Sequence, residues 1–172
     1  MASLMENLID VLSRLCEEYE ILLGLTIKKK PVIISGELEE LAKITDEEQI
    51  VVSRINHLER DRQTALHDIA NVVNRDVEEL KLINIIQMLE PRPSEQKKVA
   101  EVYDRLGSIV HRVQSTNSQN RELLQNALEM VEFDINMLQA IKSAPETANY
   151  NKGAYNAGSV IGLDRNGFDA KQ

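Results

Sequence analysis

The stretch Ser94–Ala144, SEQKKVAEVYDRLGSIVHRVQSTNSQNRELLQNALEMVEFDINMLQAIKSA, decides the fold. It holds no proline, and Gly107 is its only glycine. Apolar side chains recur at alternating steps of three and four: Val99, Val102, Leu106, Ile109/Val110, Val113, then Leu124, Leu128, Val131, Ile135, Leu138 and Ile141. Asn117 and Asn120 interrupt them. A strictly apolar residue every 3.5 positions is a coiled-coil seam rather than a broad core face. One helix of this length would run roughly 75 Å at 1.5 Å per residue. The expectation is an elongated helical molecule that works through surface rather than chemistry.

Working outward, prolines and glycines divide the rest of the chain. Residues 2–29 place Leu4, Leu8, Val11/Leu12, Leu15, Tyr19 and Leu22 on one face, with Lys28, Lys29 and Lys30 at the negative end of the helix dipole. Pro31 is expected to end this helix, leaving Val32–Ile33–Ile34 as a turn or an extended link. Ser35–Gly36 reads as a polar cap ahead of Glu37, Glu39 and Glu40. A second helix, 37–70, follows with Leu38, Leu41, Ile44, Val51, Ile55, Leu58, Leu66 and Ile69 in register. Glu48 and Arg62 fall on or beside that stripe, and pairing across helices is open. A third, short helix spans 76–89 with Asp76 as its cap, and Pro91-Arg92-Pro93 ends it. Ser94 and Glu95 open the long helix, 94–144, and Pro145 closes it. The fold class is therefore all-α: an elongated antiparallel helical bundle or coiled coil of three long helices plus one short helix, over residues 1–145.

Residues 146–172 contain four of the seven glycines, several Asn and no apolar period. Such a composition cannot offset chain entropy by burial, so a flexible C-terminal tail is expected. Tyr150, Tyr155 and Phe168 lie within it. They either dock weakly back on the bundle or anchor a recognition peptide that orders on a partner.

Composition narrows the function. The chain has 172 residues and a net charge of −8, with only 3% aromatics and no Trp. A core of Leu, Ile, Val and Ala favours helix-on-helix packing over sheets. An acidic chain without clustered Lys and Arg argues against nucleic acid as partner. Apolar runs of only a few residues predict no membrane insertion. The lone Cys16 has no partner for a disulfide, which fits a reducing cytoplasm. It reads as a small hydrophobe rather than a nucleophile.

No catalytic or metal-binding constellation is evident, and no cofactor is expected. Positions 54, 64 and 108, three residues before His57, His67 and His111, are Arg, Thr and Ser, so none completes the Glu-x-x-His pattern of di-iron bundles. No His-Glu-x-x-His pair exists for zinc. A phosphotransfer histidine would need His-x-x-Lys-Gly, whereas His67 is followed by Asp68, Ile69 and Ala70, and His111 by Arg112, Val113 and Gln114.

Asn117 and Asn120 occupy seam positions. An amide buried without a partner costs roughly 1–3 kcal/mol, so each needs hydrogen bonds. They either form a polar layer fixing helix register or mark a point where packing loosens and the seam opens to another chain.

Asn117-x-x-Asn120-Arg121-x-Leu123-Leu124, followed by an apolar-periodic helix, resembles the FlgN-type flagellar export chaperones. So do Leu22-Leu23 near the end of a long helix, the basic residues after it, and Ile33-Ile34-x-Gly36 leading to Leu38 and Leu41. Leu58-Glu59-Arg60 with Arg62, and Tyr150 before Gly153, are similar too. The resemblance implies a cytoplasmic, non-enzymatic chaperone of the flagellar type III system. It would bind the C-terminal helical segment of hook-associated junction proteins, prevent premature assembly and dock at the cytoplasmic domain of the export gate. The long helix exceeds the first two, roughly 42 and 50 Å at the same rise, so part of its stripe lacks an intrachain cover. The expected client-binding residues are Asn120, Leu124, Leu128, Val131, Ile135 and Leu138, with Met130 and Met137 as adaptable neighbours. Tyr150 and Tyr155 are the expected gate-docking residues. The competing class is a homodimeric coiled-coil adaptor in which a second copy covers the same stripe.

Overall fold

In a computed structural model, residues 2–75 and 81–143 are described. They form four helices in the order α1 (Ala2–Ser35), α2 (Leu38–Val73), α3 (Leu82–Met88) and α4 (Pro93–Ser143), with no strand among the described residues. The all-α expectation of three long helices and one short one holds. By compactness the chain divides after Leu128, inside α4, whereas the sequence suggests a boundary after residue 145. Residues 144–172, with the tail and its aromatic residues, lie outside the described residues.

Pro31 does not end α1, which carries it in its last turns and stops at Ser35. A helix-interior proline removes the hydrogen bond to the carbonyl four residues back, a cost of about 3 kcal/mol. That carbonyl belongs to Ile27, which is half exposed, so water can satisfy it. Beyond Pro31, Ile33 is buried and Val32 packs against the core, and this burial offsets the lost bond.

The stop comes from Gly36 instead. Its φ of +73° is the left-handed conformation that glycine adopts without a Cβ penalty. Gly36 N donates to Ile33 O at 3.3 Å and Glu37 N donates to Val32 O at 3.3 Å, the two bonds of a Schellman motif. Gly36 thus closes α1 rather than capping α2. The residue that precedes α2 is Glu37, whose side chain makes no capping bond. Glu39 and Glu40 do fall in the first turn of α2 as expected. Asn74, at φ +53°, ends α2 in the same way, with Arg75 N donating to Ala70 O at 3.1 Å.

α3 begins at Leu82, later than the expected 76; Asp76 lies outside the described residues. Pro93 is itself the first residue of α4, where its missing N–H costs nothing. Gln96 ties the start of α4 to α3 by donating to Ile86 O at 3.0 Å.

Within Met1–Leu128, α1 and α2 form an antiparallel hairpin across the Gly36–Glu37 turn. Arg54 on α2 pairs with Glu18 at 2.9 Å, and Glu48, earlier on α2, reaches Lys29, later on α1. α4 lies beside α1 in the same direction, since Arg105 pairs with Glu20 at 2.8 Å and Gln119 meets Lys30 at 3.4 Å. The core joins all four helices: Leu8, Leu12 and Leu15 of α1, Ile55, Leu58 and Ile69 of α2, Ile85 of α3 and Val99 of α4. The seam positions expected for α1 and α2 are buried or partly buried, except Leu38, which opens α2 beside the turn and is 75% exposed.

Candidate functional site

α4 carries the candidate site, and its residues meet very different surroundings along its length. Val99 and Ile109 are buried, and Val102 and Leu106 are partly buried against the core cluster. Lys30 lies against Gln119, so α1 ends within about two turns of that level. Leu123 and Leu124 are half-buried, and Leu128 is exposed. Every described residue from Glu129 to Ser143 is exposed.

Asn120 is the exception among the expected binding residues. It is 1% exposed, and its Nδ2 donates to the backbone carbonyl of Thr26 on α1 at 2.7 Å. Asn120 therefore belongs to the packing between α4 and α1 and is not available to a partner's surface. Its Oδ1 has no hydrogen-bond partner. Around it, the Thr26 hydroxyl donates to Leu22 O at 2.8 Å and lies 3.3 Å from Glu48 Oε1. Lys29 Nζ donates to Glu48 Oε2 at 2.6 Å, with both side chains largely covered. Asn120 is thus the α4 member of a polar layer that links all three long helices, which is the register reading of that seam residue. Asn117 is exposed and takes no part. Glu48 pairs across helices, while Arg62 pairs with Glu59 within α2 at 2.7 Å.

Leu124 and Leu128 lie in the Met1–Leu128 unit. Val131, Ile135 and Leu138 lie in the Glu129–Gln172 unit, where they are about half exposed. They share one side of α4, because their spacing of four and three residues follows the helical turn. Met130, Phe133, Met137 and Ile141 are exposed as well, at 53–68%. The seam pattern does not reach Phe133, which lies off it. A separate signal is nevertheless legible: Met130, Phe133, Met137 and Ile141 repeat at three, four and four. Tyr150 and Tyr155 fall outside the described residues.

Other groups offer little chemistry. Cys16 is fully buried, and burial raises its thiol above the ordinary value, chiefly by penalising the thiolate. Such a thiol is a poor nucleophile. A cleft of about 560 Å³ between α1 and α2 is lined by Arg14, Glu18, Arg54 and His57, and Arg54 is already paired with Glu18 there. His57 lies 3.8 Å from Asp61, and His67 Nδ1 lies 2.9 Å from Asn71 Nδ2. Among the described residues no three His, Cys, Asp or Glu side chains gather to hold a metal, and no helix is long and apolar enough to cross a membrane.

A family model described as "FlgN protein" matches residues 1–157, nearly the whole chain. The chain belongs to the FlgN family. FlgN proteins are flagellar export chaperones, not enzymes, and membership implies binding of flagellar hook-associated proteins. The chain is also similar to "Uncharacterized protein YvyG" of Bacillus subtilis (strain 168), with 26% identity over 145 residues, 84% of this chain and 83% of that protein. No solved structure matches.

Proposed function

We propose that this FlgN-family chain is a cytoplasmic chaperone of the flagellar type III export system. It takes the C-terminal helical segment of a hook-associated junction protein onto α4, keeps that subunit from assembling early and hands it to the export gate. The observation that carries this reading is the exposed apolar side at Val131, Ile135 and Leu138 in a member of a chaperone family. Soluble chains rarely leave such a run bare unless it binds something. An amphipathic client helix would meet it through residues at i, i+3, i+4 and i+7. Leu124 and Leu128 are read as continuing the same register. Asn120 serves instead to fix the packing of α4 on α1.

The test is the double variant Val131→Asp with Ile135→Asp. Client binding is expected to be lost in pull-down and calorimetry, while helical circular dichroism stays intact. Loss of the fold in that variant would make the stripe core and end the assignment. For the tail, Tyr150 and Tyr155 are assigned to gate docking. Removal of residues 146–172 is expected to spare client binding and weaken affinity for the export-gate cytoplasmic domain, and unchanged affinity would retire that role. Light scattering of the pure chain separates this reading from the homodimeric adaptor, which predicts a dimer that persists when the client segment is added.

A further inference from the structure

Residues 129–143 carry not one apolar stripe but two. Val131, Ile135 and Leu138 form the first; Met130, Phe133, Met137 and Ile141 form the second, and all seven are exposed. At about 100° per residue the stripes are centred roughly 120° apart and together span about 200° of the helix. The polar remainder includes Glu129, Glu132, Asn136 and Gln139.

Earlier in α4 the positions in phase with the second stripe include Glu101, Ser108, Arg112, Ser115, Gln119 and Asn126, all polar and exposed, and one apolar residue, Leu123, which is half-buried. The helix therefore changes from a single seam with a solvated back to a segment apolar on two sides. One packed helix covers a seam about two residues wide per turn, so a single added helix leaves one of these stripes in water. A helix apolar over most of its circumference is at home between two others.

Charge adds a second constraint. Asp134 stands between the two stripes, Glu132 lies on the polar side, and Lys142 is the only base among residues 129–143. Two occupants meeting over Asp134 are best matched by Lys or Arg along their facing edges.

We infer that residues 129–143 take up two amphipathic helical segments of one partner chain at once, one on each stripe, with basic side chains where the two meet. This rests on the client-binding reading above and specifies its occupant: a helical pair rather than the C-terminal segment alone. Methionines on the second stripe suit it to a partner surface of irregular shape.

The experiment compares Val131→Asp/Ile135→Asp with Phe133→Asp/Met137→Asp in the full chain. Both are titrated with a purified hook-associated subunit and with a synthetic peptide of its C-terminal helical segment. All substituted positions are exposed, and circular dichroism verifies that each variant stays helical. Each variant is expected to lower affinity for the whole subunit at least about tenfold, while the lone peptide is lost from only one of them. Normal binding of the subunit by Phe133→Asp/Met137→Asp alone would overturn the two-segment occupant and leave the client-binding reading standing. Normal binding by both variants would remove that reading as well. Loss of the peptide from both would mean that one helix spans both stripes, which also overturns the proposal. If Phe133→Asp/Met137→Asp leaves subunit binding intact and turns an oligomer into a smaller species in light scattering, a second copy covers that stripe and the proposal fails. Restored subunit binding on deletion of residues 146–172 from Phe133→Asp/Met137→Asp would assign the stripe to the chain's own tail and overturn the proposal in the same way.

Discussion

Two regions of α4 share a sequence pattern and differ in everything that the pattern is used for. In residues 99–120 the seam is spent inside the molecule: Val99 and Ile109 are buried, and Asn120 is hydrogen-bonded to α1. In residues 129–143 the same three-four spacing lies open, and a second apolar stripe joins it. Periodicity therefore reports that a helix has an apolar side, not whether the chain itself covers that side. The burial of one region stabilises the fold, whereas the exposure of the other leaves binding energy available to a partner.

Substitutions sharpen the contrast, beginning with the largest effect. Val99→Asp puts a charge into the core of the first region and is expected to cost at least about 3 kcal/mol in urea unfolding. A loss near zero would mean that α4 is not seated there. Asn120→Ala removes the donor to Thr26 O and is expected to cost about 1–3 kcal/mol, whereas exposed Asn117→Ala stays within about 0.5 kcal/mol. Equal effects at the two asparagines would dissolve the polar layer. Val131→Ala with Ile135→Ala should change unfolding by no more than about 0.5 kcal/mol while weakening client binding. A large stability loss would show that the second region is covered by the chain itself.

Cysteine chemistry gives the smallest signal. Cys16 is buried and its thiol is raised above its ordinary value of 9.0, so thiol reagents are expected to label the native chain far more slowly than the urea-unfolded chain. Stability carries the same sign. Above about pH 9 the unfolded state releases this proton and the folded state retains it, so the Cys16 contribution is intact below that pH and declines above it. Labelling at equal rates in the folded and unfolded chain would contradict the packing of α1 against α4 at Val102.

Much of the fold is legible in the sequence because it depends on local pattern. The helix-period stripes of α1 and α2 supply most of the buried positions, with Leu38 left exposed at the start of α2, and the acids of Glu39 and Glu40 mark the first turn of that helix. Sequence and structure part where two local signals compete. Pro31 reads as a breaker, yet the half-exposed position of Ile27 and the burial of Ile33 let α1 continue, and Gly36 supplies the stop. Asn120 and Asn117 look equivalent in the seam, three residues apart. Only the presence of Thr26 opposite one of them makes it a structural residue. Phe133 escapes the seam pattern because it belongs to a second stripe that only its exposure makes meaningful.

The sequence by itself determined that this chain is helical, where its long helix lies, and that the helix bears an apolar stripe, since these follow from residue spacing and backbone propensity. Only the tertiary structure decided how far along α4 that stripe is consumed by α1 and its neighbours, which asparagine is buried, and which residues remain bare. Burial depends on where other helices end in space, and α1 ends at a glycine whose effect on α4 no local pattern records.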